Sequence, residues 1–152
     1  MAKIQVIIGS VNGTALQVGA VVAQLLEKLG HHAWINVEPS AADLGRDADE
    51  ILLICCSTTG NGELPRNIYP VYLALEDQLV NLQGRRYAVI ALGDSGYPRY
   101  AQAGMTLEAL LYGSGASQVS DLYRLDAALV PNAEQPMAAA RWALQWSDLL
   151  SA

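Results

Sequence analysis

Short apolar runs alternate with longer amphipathic stretches along the whole chain. Lys3–Gly9 (KIQVIIG) is β-branched and nearly all apolar, the pattern of a strand covered on both faces. Thr14–Leu29 places Leu16, Val18, Val21, Val22, Leu25, Leu26 and Leu29 on one stripe with Gly30 just beyond, which predicts an amphipathic helix. His32–Val37 reads as a second short strand closed by Pro39, and Ile51–Cys56 (ILLICC) as a third. Pro65 opens a helix with Ile68, Val71, Tyr72, Leu75 and Leu79 on its apolar face. Arg86–Leu92 (RYAVIAL) is a fourth strand, and Tyr100–Leu111 is a helix running into Gly-Ser-Gly-Ala. Val119–Leu125 is a weaker fifth strand, and Met137–Leu150 is a terminal helix carrying Trp142 and Trp146.

Five strands alternating with helices predict a doubly wound α/β fold, a parallel sheet with right-handed crossovers and helices on both faces. Ligands on such sheets bind where the strands end, near the point at which strand order reverses. After the first strand comes Gly9-Ser10-Val11-Asn12-Gly13-Thr14, after the third Ser57-Thr58-Thr59-Gly60-Asn61-Gly62, and after the fourth Gly93-Asp94-Ser95-Gly96-Tyr97. All three loops are rich in Gly, Ser, Thr, Asn or Asp, and this topology brings them to one edge.

Each loop admits a chemical reading beside a plain one. The first can cradle a phosphate: a helix N-terminus offers free N–H groups and a favourable dipole, with hydroxyl and amide donors from Ser10, Asn12 and Thr14. No Lys or Arg lies between Lys3 and Lys28, so neutral donors alone would hold the anion. The plain alternative is a strand-to-helix turn with Thr14 as N-cap. Tyr97 in the third loop can stack on a flat heterocycle, or be a surface tyrosine ahead of Pro98. Tyr100 reads as packing. Gly60 and Gly62 would let backbone approach a ligand edge.

Composition narrows the field. The chain has 152 residues, 52% hydrophobic and 16% charged, enough apolar content for a packed core and too much for disorder. A net charge of -6 argues against a nucleic-acid partner, whose phosphates need a basic footprint. Cys55 and Cys56 are adjacent in an apolar run and read as core packing, without a disulfide framework. The N-terminus reads as a strand, with no signal-peptide pattern, and no apolar run approaches the roughly 20 residues of a membrane span. The expectation is a single cytoplasmic domain over residues 1–152, monomeric and with no membrane contact. His31 and His32 read as surface residues, and Trp34, Trp142 and Trp146 as helix anchors.

Several tenants of doubly wound sheets are excluded by residues. A phosphoacceptor receiver needs acids after the first strand and an aspartate ending the third, where Gly9-Ser10 and Cys56-Ser57 stand. A Walker loop needs Gly-Lys-Ser/Thr, and a dinucleotide site needs G-x-G-x-x-G; neither is present in the first loop.

Taken together, Gly9-Ser10 to Gly13-Thr14, Ser57-Thr58-Thr59-Gly60-Asn61-Gly62-Glu63-Leu64-Pro65 and Ala91-Leu92-Gly93-Asp94-Ser95-Gly96-Tyr97 resemble the three FMN loops of flavodoxins. The resemblance is to short-chain flavodoxins of the MioC/YqcA type and to the flavodoxin domains of diflavin reductases, and it runs nearly end to end. It implies a three-layer, five-stranded parallel sheet of order 2-1-3-4-5. It also implies that Ser10, Val11, Asn12, Gly13, Thr14 and Ala15 hold the FMN phosphate. Ser57, Thr58, Thr59 and Gly60, with Asn61 and Gly62, would line one side of the ring. Leu92, Gly93, Asp94 and Tyr97 would line the other, Tyr100 lying alongside, and Asp126 is similar to an acidic residue near the flavin in diflavin reductases. Thr59 stands where many relatives carry an aromatic residue, and Asn12 where many carry threonine.

The function so implied is one-electron transfer at low potential, between a flavin-containing NADPH reductase and an acceptor redox enzyme, docked through an acidic surface. No catalytic residue and no metal site is read. The rival readings are an FMN-dependent quinone or flavin reductase, for which no nicotinamide motif is found, and a flavin-free interaction module of the same fold.

Overall fold

The structure is a computed structural model that describes residues 1–10, 13–59 and 62–151, the side chain of Ser151 excepted. Four of the strands are as expected to within a residue: β1 Lys3–Gly9, β2 His32–Asn36, β3 Ile51–Cys56 and β4 Arg86–Gly93. The fifth is split into β5 Ser117–Gln118 and β6 Tyr123–Asp126, each paired with β4. Ser120 and Asp121, poor strand formers, lie in the gap. All pairings are parallel, and the order is β2-β1-β3-β4, with β5 and β6 sharing the outer edge of β4.

The helices are α1 Thr14–Lys28, α2 Ala41–Gly45, α3 Tyr69–Glu76, α4 Gln102–Gly113 and α5 Gln135–Trp146. Alternate strand residues face opposite layers. Ile4, Val6, Ile8, Leu53, Cys55 and Ile90 pack against α1 and α5, while Ile7, Leu52, Ile54, Cys56 and Val89 pack against α3 and α4. Both cysteines are fully buried and unpaired, and burial pushes the Cys56 thiol up to about 12 and Cys55 higher still. They are packing residues.

Three expectations shift. The buried face of α1 is Ala15, Val18, Gly19, Val22, Ala23 and Leu26, leaving Leu16 and Leu29 exposed. Small residues let the helix lie close to the sheet: a Cβ on Gly19 would come within 2.3 Å of Ile8 Cδ1. Leu79, assigned to an apolar helix face, lies beyond the end of α3 and is exposed, after Gln78 turns the chain at φ 53°. Helix α2 was not read at all, because five residues are too few for periodicity. Its signal is Ser40-x-x-Asp43: the Asp43 carboxylate accepts the Ser40 N–H at 3.0 Å.

The nearly apolar first strand also hides a buried polar network. Gln5, fully buried, donates to Glu50 Oε1 at 2.7 Å and to the Asp43 carbonyl at 3.0 Å, and accepts from Asn36 Nδ2 at 2.9 Å. Arg46 and Arg85 close it around Glu50. This pins β1, β2, α2 and the start of β3 to one another.

Two glycines of α4 test the packing in opposite directions. A Cβ on Gly104 would lie 2.4 Å from Ala91 Cβ and 3.0 Å from its Cα, whereas one on Gly113 meets nothing within 4 Å. Gly104→Ala is expected to destabilise by about 1–2 kcal/mol, overpacking outweighing the helix-propensity gain, and Gly113→Ala to stabilise by up to about 1 kcal/mol. Urea unfolding of both variants checks this; equal effects would contradict the close approach of α4 to β4.

Candidate functional site

Parallel register brings three loops together. Gly9 pairs with Cys56, Cys56 with Ala91, and Gly93 with Asp126, so β1, β3, β4 and β6 end at one edge. Between their loops lies a cleft of about 440 Å³, lined by Thr14 of α1, Ser57 and Thr58 after β3, and Leu92, Gly93, Asp94, Tyr97 and Tyr100 at the end of β4 and beyond. That volume is within the range of small-molecule cofactor sites. Val11, Asn12, Gly60 and Asn61 lie outside the described residues.

The first loop is shaped by acceptors on its own side chains. The Ser10 hydroxyl accepts the Gly13 N–H at 2.8 Å, and Gly13 takes the left-handed conformation at φ 84°, which glycine adopts without strain. Gly13, not Thr14, is the N-cap of α1, with no side-chain cap, and the first intrahelical bond runs from Gln17 N to Gly13 O. The N–H groups of the first turn therefore lack helical partners and are available to an anion. Ala15 is fully buried beneath this turn.

A residue not read from the sequence anchors the cradle. Asn67, in the 3-10 turn Arg66–Ile68, donates from Nδ2 to the Ile8 carbonyl at 2.6 Å and the Val37 carbonyl at 3.0 Å, while its Oδ1 accepts the Ser10 N–H at 3.1 Å. One amide thus joins the ends of β1 and β2 to the first loop. No periodic signal marks such a residue.

The second loop is a tight antiparallel turn. Thr59 N and Oγ1 both donate to the Glu63 carbonyl at 3.0 Å, and Gly62 N donates to the Thr59 carbonyl at 2.8 Å. The Thr59 hydroxyl is therefore folded back into the loop. Thr58 Oγ1 accepts the Ala103 N–H at 3.3 Å, capping the free first turn of α4 from outside. Gly62 is required by contact as well as by its φ of 90°: a Cβ would lie 2.8 Å from Arg99 Cβ and Cδ.

In the third loop, Asp94 Oδ1 accepts the Gly96 N–H at 2.8 Å, an Asx-type turn that presents Tyr97 with 62% of its surface open. Tyr100 is half-buried, and desolvation followed by the Asp126 charge raises its hydroxyl pKa. Arg99, overlooked in the sequence, places a cation in the cleft lining together with Asp94.

Asp126 is absent from the cleft lining. Its Oδ1 accepts the Ser95 N–H and the Ala128 N–H, each at 2.9 Å, and so ties the third loop to the segment after β6. That segment is a further wall: Ala127, Asn132 and Gln135 line the cleft. Among the described residues no cluster of three or more metal-ligating side chains occurs, and no helix is long and apolar enough to cross a membrane.

This fold and this edge of polar loops define a class. Residues 6–142 match the family described as Flavodoxin, and the chain belongs to the flavodoxin family, whose members are flavin-dependent electron-transfer proteins. It is 34% identical over 151 residues to Flavodoxin YqcA of Escherichia coli (strain K12), covering 99% of this chain and 100% of that one. It is 34% identical over 150 residues to Protein MioC of the same strain, covering 99% of each. Among solved structures, a Cys-to-Ser variant of a flavodoxin from Pseudomonas aeruginosa superposes with a TM-score of 0.90 at 34% identity over 99% of both chains.

The brace at Asp126 gives a pH signature. Hydrogen bonds from the Ser95 hydroxyl and backbone hold its carboxyl below the ordinary aspartate value of 3.8. A lowered folded-state pKa stabilises the fold above the unfolded value, and that contribution disappears as pH falls through the folded one. The thermal midpoint of Asp126→Asn is expected to lie below that of the native chain near pH 6, the gap closing as pH falls below the ordinary aspartate range. A gap independent of pH would contradict the brace.

Proposed function

We propose that this chain, acting as one monomeric unit over residues 1–152, binds FMN non-covalently in the cleft and carries electrons singly at low potential. The observation that supports this most is the convergence of an uncapped helix N-terminus, two glycine-bearing loops and an open tyrosine on one edge. The group fits the donor set. The Ser10 and Thr14 hydroxyls and the Thr14 N–H offer donors to a phosphate, on a turn shaped by Gly13 and backed by buried Ala15. Gly93 admits no side chain, since a Cβ would lie 2.6 Å from Ala101 N, so a flat ligand meets backbone there.

Bound FMN supplies the redox chemistry of its isoalloxazine ring. The chain binds, orients and tunes it. Ser57, Thr58 and Leu92 form walls, Tyr97 stacks, and Tyr100 closes the inner side. Thr59 and Gly62 set the shape of the second loop, and Asp126 holds the third against the segment beyond β6. Asp94, on the cleft surface, opposes negative charge added to the ring. The partners proposed are a flavin-containing NADPH reductase and an acceptor redox enzyme, in the cytoplasm. The net charge of -6 supports docking through acidic residues, with association weakened by salt.

Visible absorption of the purified protein, FMN titration and stepwise photoreduction test the reading. Flavin bands, FMN release on unfolding and reduction in two separable one-electron steps are expected. A single two-electron step with rapid NAD(P)H oxidation would favour a reductase, and failure to take up FMN would overturn the proposal. A carboxylate about 8 Å from an added charge costs roughly 2 kcal/mol at an effective dielectric near 20, on the order of 90 mV for one electron. Asp94→Asn is therefore expected to raise the potential of the second reduction by tens of millivolts, up to about that limit; an unchanged potential would remove Asp94 from the tuning.

A further inference from the structure

Gln135 opens α5 on the wall of the cleft. It is 1% exposed. Its Nε2 donates to the Val130 carbonyl at 3.1 Å, which holds the loop after β6. Its Oε1, sealed from water, has no hydrogen-bond partner. A buried acceptor without a donor is destabilising, and an apolar side chain of the same size would fill the space without that cost. Gln5, the other fully buried glutamine, has both its amide nitrogen and its oxygen hydrogen-bonded. Of the buried side-chain polar atoms left unpaired among the described residues, Gln135 Oε1 belongs to a residue of the cleft wall, where a bound ligand can bring a donor.

The chemistry of that donor follows from placement. Helices α1 and α5 each follow a strand of one parallel sheet and pack together through Val18, Val22, Ala139 and Ala143, so they run parallel. The first turn of α5 therefore stands on the same edge as the first turn of α1, the proposed phosphate cradle. A phosphate offers Oε1 only further acceptors. The flat ring belongs with Tyr97, on the loop that follows β4. Between the two, the donors of the ligand are the hydroxyls of the polyol chain joining phosphate to ring.

Resting on the FMN reading above, we propose that Gln135 Oε1 accepts a hydrogen bond from a polyol hydroxyl of bound FMN and thereby selects flavins that carry this chain. That hydrogen bond would satisfy the buried Oε1.

Gln135→Met keeps length and volume while removing the acceptor; Gln135→Leu is a second apolar replacement should the first not fold. The full chain, freed of flavin, is titrated with FMN, riboflavin and lumiflavin, the last being the ring without the polyol, by flavin fluorescence. Loss of one hydrogen bond is expected to weaken FMN and riboflavin about tenfold while lumiflavin is unaffected. The lost Nε2–Val130 bond and the removed unpaired oxygen oppose each other, so the flavin-free variant is expected to melt within a few degrees of the native chain. FMN affinity unchanged, or an equal loss for all three flavins, would overturn the proposal, the second outcome assigning Gln135 to loop shape alone. A native chain that takes up none of the three would overturn the FMN reading itself, and this proposal with it.

Discussion

Parallel pairing of β1, β3 and β4 is the constraint on which the rest of the structure depends. In a parallel ladder the strands point the same way, and the register Gly9–Cys56–Ala91 makes them finish almost level. Each strand must then leave the sheet through a loop on the same edge, and each return helix must begin there with its free N–H groups facing outward. The cleft is a consequence of this geometry before any side chain is considered. With β2 on the far side of β1, strand order reverses beside the first loop, where a crevice opens.

Converging loops alone would be loose. They are braced by side-chain acceptors that take backbone N–H groups no strand can pair: Asn67 on Ser10, Thr58 on Ala103, Asp94 on Gly96, and Asp126 on Ser95 and Ala128. Several of these reach across sequence, so the loops after β1, β3, β4 and β6 hold one another. Three left their mark in the sequence as polar loop residues whose function as braces was not legible. Close backbone approach does the rest, at Gly62 under Arg99 and at Gly93 against Ala101, a buried non-glycine residue held at φ 57°.

The strands that carry the site were legible because double-sided burial demands unbroken apolar runs, which chance rarely supplies. The loops were legible because small polar residues and glycines cluster only where the chain turns. What escaped notice depends on distance through space. Asn67 lies 57 residues from Ser10 and 59 from Ile8, and nothing in its own neighbourhood marks it. Asp126 was noticed as an acid, yet its carboxylate faces backbone donors of another loop. Gln135 lies just ahead of the stretch read as the terminal helix, because Pro136 obscured a helix start whose first turn tolerates proline. The fifth strand was read as continuous, and its interruption at Ser120-Asp121 is a local preference too weak to place on its own.

The claim that everything rests on is that one flavin is held by all of these loops together. Backbone amide spectra of the isotopically labelled chain, recorded as FMN is added to the flavin-free protein, test it most directly. Shifts are expected at Gly13 and Thr14, at Ser57 to Thr59, at Leu92 to Tyr97 and at Ala127 and Gln135, with Trp34 and Asp47, away from this edge, unmoved. Perturbation confined to a single loop, or centred on Trp34 and Asp47, would contradict the claim.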